Sequence, residues 1–334
     1  MRITERKKRS SGVLAHLFLK LITCLPVILY LFISSCSSPR QPQLIIASIP
    51  PQEYFLERIA GREFNIHTLL PAEANPKTYR LTAADYEKCR GAAIFFRTGL
   101  PYETRIITSL QEMNPGLKIV NCQQGIDTRF TDTFHRVVSS YLGRRILTYS
   151  EINPAGSNNK FYREPDPYTQ VFDPYTWLSP ALAKTYVENI CQALQELIPA
   201  RTPYFSNNLQ TLQQELDSLG IYIQNRLNNL PNRKFLIYHP AWGYFADEFK
   251  LLQIPIEILG KSPGLKTIND IIHFSQQEKL KVIFIQDGFS RNEAEAIAEI
   301  LRAKVITLQP FARDYPGNII NTADIMAEEL QDQK

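Results

Sequence analysis

The chain has 334 residues, 44% hydrophobic and 21% charged, a balance that excludes both a disordered chain and a multi-span membrane protein. Its 37 Lys and Arg outnumber 33 Asp and Glu. Six of the basic residues (Arg2, Arg6, Lys7, Lys8, Arg9, Lys20) and one acid, Glu5, fall in the first 35 positions, so the other 299 residues carry 31 basic and 32 acidic side chains. That balance excludes the clustered Lys/Arg excess with which proteins displace counterions from nucleic acid.

The basic stretch Arg6 to Arg9 precedes an apolar run, Leu21 to Ile33, and then Ser34, Ser35 and Cys36. A spanning helix needs about 20 apolar residues, and Lys20 leaves this run short. Residues 1–35 therefore read as a secretory signal. The tetrad Ile33-Ser34-Ser35-Cys36 resembles a bacterial lipobox, which implies cleavage before Cys36 and lipid on its thiol. Residues 36–43 form a short tether.

From there, apolar runs rich in β-formers alternate with amphipathic segments of helix length, the pattern of βαβ units and parallel sheets. The runs begin near Leu44, Phe64, Ala92 and Lys118, and again near Phe235, Ile254, Val282 and Val305. Their steps, 20, 28 and 26 residues and then 19, 28 and 23, share a rhythm. The fold expected is α/β, with two similar lobes of parallel sheet flanked by helices, over 44–180 and 233–334. Residues 181–232 are helical. Within them Leu209, Leu212, Leu216, Leu219, Ile223, Leu227 and Leu230 form one apolar stripe. A helix from Pro203 to Leu230 would be about 42 Å long and would link the lobes stiffly. Residues 125–173 are the least regular, with a helical piece expected around Phe134 to Leu142.

Once Cys24 is lost and Cys36 lipidated, Cys89, Cys122 and Cys191 remain. Their spacing suits neither a disulfide framework nor a zinc knuckle, and they read as small buried hydrophobes. No phosphate-binding glycine loop and no nucleophile elbow follows any strand; Gly288-Phe289-Ser290 lacks the second glycine. His67 and His273 read as structural, in a strand and a helix. The chain is expected not to be an enzyme.

Four strings in order carry a resemblance. Ile45 to Gly61 opens it, followed by Asn75-Pro76-Lys77-Thr78-Tyr79, then Asp173-Pro174-Tyr175-Thr176-Trp177, then Tyr238-His239-Pro240-Ala241-Trp242; Val305 to Pro310, with Asp314-Tyr315, closes it. Together they are similar to the zinc/manganese-type solute-binding proteins of bacterial ABC importers over roughly Leu44 to Leu330. The resemblance implies two lobes joined by a long helix, with one transition-metal ion held in a ligand cleft between them as the transported solute. It also implies a monomeric, lipid-anchored receptor outside the cytoplasm whose partner is an importer permease. The family's ligand positions fall here on Lys77, Tyr175, His239 and Gln309. Only His239 keeps a histidine; Lys77 and Tyr175 stand where the family has histidines, and Gln309 where it has a carboxylate.

Ammonium for imidazole and amide for carboxylate make the site two units more positive. Each unit against a dication at about 4 Å is worth about 8 kcal/mol at an effective dielectric of 20, so high-affinity zinc binding by these four positions is not expected. Three readings follow. A metal is held by substitutes such as Asp173, Asp287 or Asp314; or the Lys77 ammonium replaces the metal, donating to Tyr175, Gln309 and His239; or the cleft takes a different, anionic solute. A metal-independent, adhesin-like surface protein is the alternative function. The His- and acid-rich loop common in zinc importers has no counterpart in 125–173, which holds His135 alone and reads Arg144, Arg145, Lys160 and Arg163 as a solvated face.

Overall fold

The computed structural model describes residues 42–127, 129, 172–257, 262–289 and 291–332. The signal segment 1–35, Cys36 and nearly all of the tether lie outside them, as do the helix expected at Phe134 to Leu142, His135, Arg144, Arg145, Lys160 and Arg163. Among the described residues no helix is long and apolar enough to cross a membrane.

Strands β1 (Gln43–Ala47), β2 (Phe64–Thr68), β3 (Ile94–Arg97) and β4 (Lys118–Asn121) form a parallel sheet in the order β2-β1-β3-β4. Strands β5 (Lys234–Ile237), β6 (Leu252–Pro255), β7 (Val282–Ile285) and β8 (Lys304–Thr307) repeat it as β6-β5-β7-β8, also parallel. Every strand starts within two residues of its expected run. The runs are legible because a parallel sheet covered on both faces needs apolar side chains on both. In the second sheet Phe235, Ile237, Val282 and Phe284 join the main core. Their neighbours Leu236, Ile283 and Ile285 join a second core, as the two-residue period of a strand requires.

The first lobe's helices are α1 (Pro50–Ala60), α2 (Ala83–Cys89) and α3 (Pro101–Met113). In α3 the buried Glu103 turns back on the strand ends, accepting from Thr98 N at 2.8 Å, Gly99 N at 2.7 Å and the Ser48 hydroxyl. Next come α4 (Pro180–Leu197), whose first turn is capped by the Ser179 hydroxyl, and α5 (Thr202–Leu227). The second lobe contributes α6 (Gly243–Glu248), α7 (Leu265–Gln277), α8 (Arg291–Leu301) and α9 (Tyr315–Gln331).

The long helix α5 buries Leu212, Leu216, Leu219, Ile223 and Leu227 of the expected stripe, leaves Leu209 half-buried, and adds Phe205, which the stripe did not include. It ends at Leu227, short of Leu230. Arg233 Nη1 takes the Leu227 carbonyl at 2.9 Å, and Pro231 disfavours helical backbone at Leu230. Helices α1, α4 and α9 all pack on α5. Helix α9 follows the second sheet in the chain, yet its first residue packs on the first lobe: the buried Tyr315 ring lies 4.7 Å from Phe55 and 6.1 Å from Tyr54. Cys89, Cys122 and Cys191 are free thiols and buried.

Candidate functional site

In open α/β sheets ligands gather beyond the carboxyl ends of the strands, at the point where strand order reverses. In the second sheet those ends present Glu257 after β6, His239 after β5, Asp287 to Phe289 after β7 and Gln309 after β8. The first lobe supplies Lys77, from the loop after β2, and Tyr175, just before α4.

Backbone turns fix both of these. The Asn75 side-chain oxygen accepts from Lys77 N at 2.9 Å, and the Asn75 carbonyl accepts from Thr78 N and Tyr79 N. Asp173 Oδ1 accepts from Tyr175 N at 2.9 Å. The Tyr175 ring lies 5.2 Å from Trp177 and 5.9 Å from Phe311, and Trp177 Nε1 donates to Pro310 O at 2.8 Å. An aromatic wall thus runs from the start of α4 to the loop after β8.

The centre of the site is Glu257, buried, with its two oxygens used separately. Oε1 accepts from the Lys77 ammonium at 2.5 Å, while Oε2 bonds His239 Nδ1. Burial alone would raise the Glu257 carboxyl, but the bond to His239 and the Lys77 charge together hold it below the usual carboxylate range. Burial lowers the His239 imidazole, with the Lys77 charge acting in the same direction and Glu257 opposing. A neutral ring beside a carboxylate carries its proton on Nδ1, which leaves the Nε2 lone pair to accept from the Tyr175 hydroxyl at 3.2 Å. The result is one chain of charge-assisted contacts, from ammonium to carboxylate to imidazole to phenol. Phe289 closes it from the side, stacked on His239 at 4.5 Å and lying 5.2 Å beneath the Lys77 ammonium.

Lys77, Tyr175 and His239 are therefore brought together, whereas Gln309 turns away and donates its side-chain amide to Asp287. The expected direct bonds from Lys77 to Tyr175, Gln309 and His239 give way to one bond to Glu257, because a buried carboxylate is the stronger partner for an ammonium. Glu257 escaped the sequence reading; its only signal is a lone acid inside the apolar run Ile254 to Leu259. The three substitute carboxylates are also engaged. Asp314 caps α9 through Gly317 N, and Asp287 holds Gln309. Asp173 lies buried 3.8 Å from Arg129, which also pairs with Asp247; burial pushes the Asp173 carboxyl up to about 7, with Arg129 opposing. Among the described residues no group of three or more His, Cys, Asp or Glu side chains is placed to hold a metal ion. The Nε2 lone pair that a metal would take is occupied by Tyr175.

Residues 45–330 match the sequence profile of the family described as zinc-uptake complex component A, periplasmic. The chain belongs to this family. Members of the zinc-uptake component A family are solute-binding receptors, not enzymes. A putative metal-binding protein of Chlamydia muridarum is 24% identical over 293 residues, 87% of this chain and 92% of its own. The high-affinity zinc uptake system protein ZnuA of Bacillus subtilis is 22% identical, over 86% of this chain and 85% of its own. A crystal structure of ZnuA superposes with a TM-score of 0.73 at 29% identity, covering 86% of this chain and 99% of that one.

Proposed function

We propose that this chain is the extracytoplasmic receptor of an ABC importer, anchored by lipid at Cys36 and docking on a permease through its two lobes, 44–180 and 233–334. Family membership supports a divalent transition metal, zinc or manganese, as the class of solute. In this chain the metal competes with internal ligands. To reach His239 Nε2 it must displace the Tyr175 hydroxyl, and to reach Glu257 it must displace the Lys77 ammonium. Family membership carries the receptor reading, and the observation behind internal competition is the shared Glu257 carboxylate, whose two oxygens are both taken by the chain's own side chains.

The test is a zinc and manganese titration of the full chain, purified in detergent, beside a Lys77→His, Tyr175→His, Gln309→Asp variant. The variant is expected to bind one metal at least about 100-fold more tightly, which corresponds to about 2.7 kcal/mol. Equal, tight and stoichiometric binding by both would mean that the metal is held elsewhere and that internal competition is wrong.

A further inference from the structure

Lys77 belongs to the first lobe, and the groups that receive its ammonium, Glu257 and Phe289, belong to the second. A buried carboxylate beside an aromatic face is the chemistry that recognises an alkylammonium ion, through a charge-assisted hydrogen bond on one side and the ring quadrupole on the other. We propose that Lys77 is a built-in ligand: its side chain fills an alkylammonium site made by Glu257 and Phe289, and so holds the two lobes closed with no solute bound. The inference rests on the cleft being the solute site, but its test uses no metal, so either can fail alone.

Three features support it. First, the ammonium supplies the countercharge that Glu257 needs. That carboxylate side chain is 7% exposed and its other oxygen is spent on His239. Without Lys77 it would be a buried carboxylate with one side-chain partner, His239, and no facing ammonium, an arrangement that costs free energy unless another cation enters. Second, the loop carrying Lys77 is itself seated on the second lobe. Asn75 Nδ2 donates to Gly288 O at 3.0 Å, and the same Asn75 side chain holds Lys77 N. Gly288 has φ +80, and a Cβ there would come within 2.9 Å of Asn75 N, so the backbones meet as closely as they do because this position has no side chain. Third, the Lys77 side chain is 27% exposed. Water reaches it, so the contact can release without unfolding the core, as a clasp must.

The experiment removes the internal ligand and offers it back. In the full chain under chelator, Lys77→Ala is expected to lower the thermal midpoint by a few degrees. It is also expected to speed amide exchange in residues 75–79 and 286–289 by about tenfold. Tens of millimolar n-propylammonium should restore most of both changes, with sodium at equal ionic strength restoring neither. Wild type and the Lys77→Ala, Glu257→Gln double variant should not respond to the amine. Exchange in Lys77→Ala equal to wild type, rescue no better than sodium, or equal rescue of the double variant would each overturn the proposal. If Lys77→Ala fails to fold, Lys77→Met keeps the aliphatic stem against Phe289 and removes the charge. Faster exchange at 286–289 in that variant supports the clasp, and wild-type exchange there overturns it.

Discussion

Replacing Gly288 with alanine isolates the contact between the lobes. The new Cβ would lie 2.9 Å from Asn75 N, 3.1 Å from Asn75 Cβ and 3.1 Å from Glu73 O. Two of those atoms are backbone, so no side-chain rotation relieves the approach. The left-handed backbone at φ +80 costs a non-glycine residue about 1 kcal/mol. Parting the two loops also forfeits the bond from Asn75 Nδ2 to Gly288 O, about 1 kcal/mol more, so the whole cost is about 2–3 kcal/mol. Gly91 is the control. Its φ is +82, and a Cβ there meets nothing within 4 Å, so Gly91→Ala carries the strain without the collision. The entropy that alanine removes from the unfolded chain is the same in both and cancels. Urea unfolding of the two variants should separate them by about 1–2 kcal/mol, with the lower midpoint for Gly288→Ala. Equal midpoints would show that the lobes do not meet at Gly288 in solution and would refute the reasoning.

Glu103 provides a pH dependence. Burial raises its carboxyl to about 7 from an ordinary 4.5, against the donors from Ser48, Thr98 and Gly99. The folded state therefore holds this proton more tightly than the unfolded one, and its contribution is most favourable below pH 4.5. Stability from this group falls as pH rises toward 7, by about 3 kcal/mol in all. Glu103→Gln should flatten stability between those limits, measured by urea unfolding across pH; an unchanged slope would refute it. Trp177→Phe loses the bond to Pro310 and part of a fully buried ring, and should cost about 2 kcal/mol in the same assay. A loss under about 0.5 kcal/mol would mean that the aromatic wall packs loosely.

The lobes were legible because a doubly covered parallel strand must be apolar throughout, so Ile94 to Phe96 and Val282 to Ile285 announce themselves without an alignment. The α5 stripe was equally plain, since a leucine every three or four residues has one structural meaning. Its end at Leu227 was less so: Pro231 marks a stop near Leu230, but the Leu227 carbonyl is taken by Arg233 from beyond the following turn. The site divided differently. Lys77 and Tyr175 could be found as substituted ligand positions, and His239 as a retained one, in strings that resemble a known family, but the residue that joins two of them could not. Glu257 lies 180 positions from Lys77, and one acid in an apolar run carries no sign of the cation it will meet. Similarly, Gln309 was assigned to the site by resemblance to a family ligand position, whereas its amide is claimed by Asp287 from the neighbouring strand end. Side-chain choice among nearby partners is a property of the packed state, and linear spacing does not encode it.

Helix α9 has a consequence for the order of folding. Tyr315 completes the aromatic packing around Phe55 and Tyr54, so the first lobe lacks part of its interior until a segment some 260 residues later is in place. Loop closure over that span must precede the reward of the contact, so the packing around Phe55 and Tyr54 is completed late even though helix α1 is made early. The first helix to emerge therefore stays without its final aromatic cover until nearly the whole polypeptide is available.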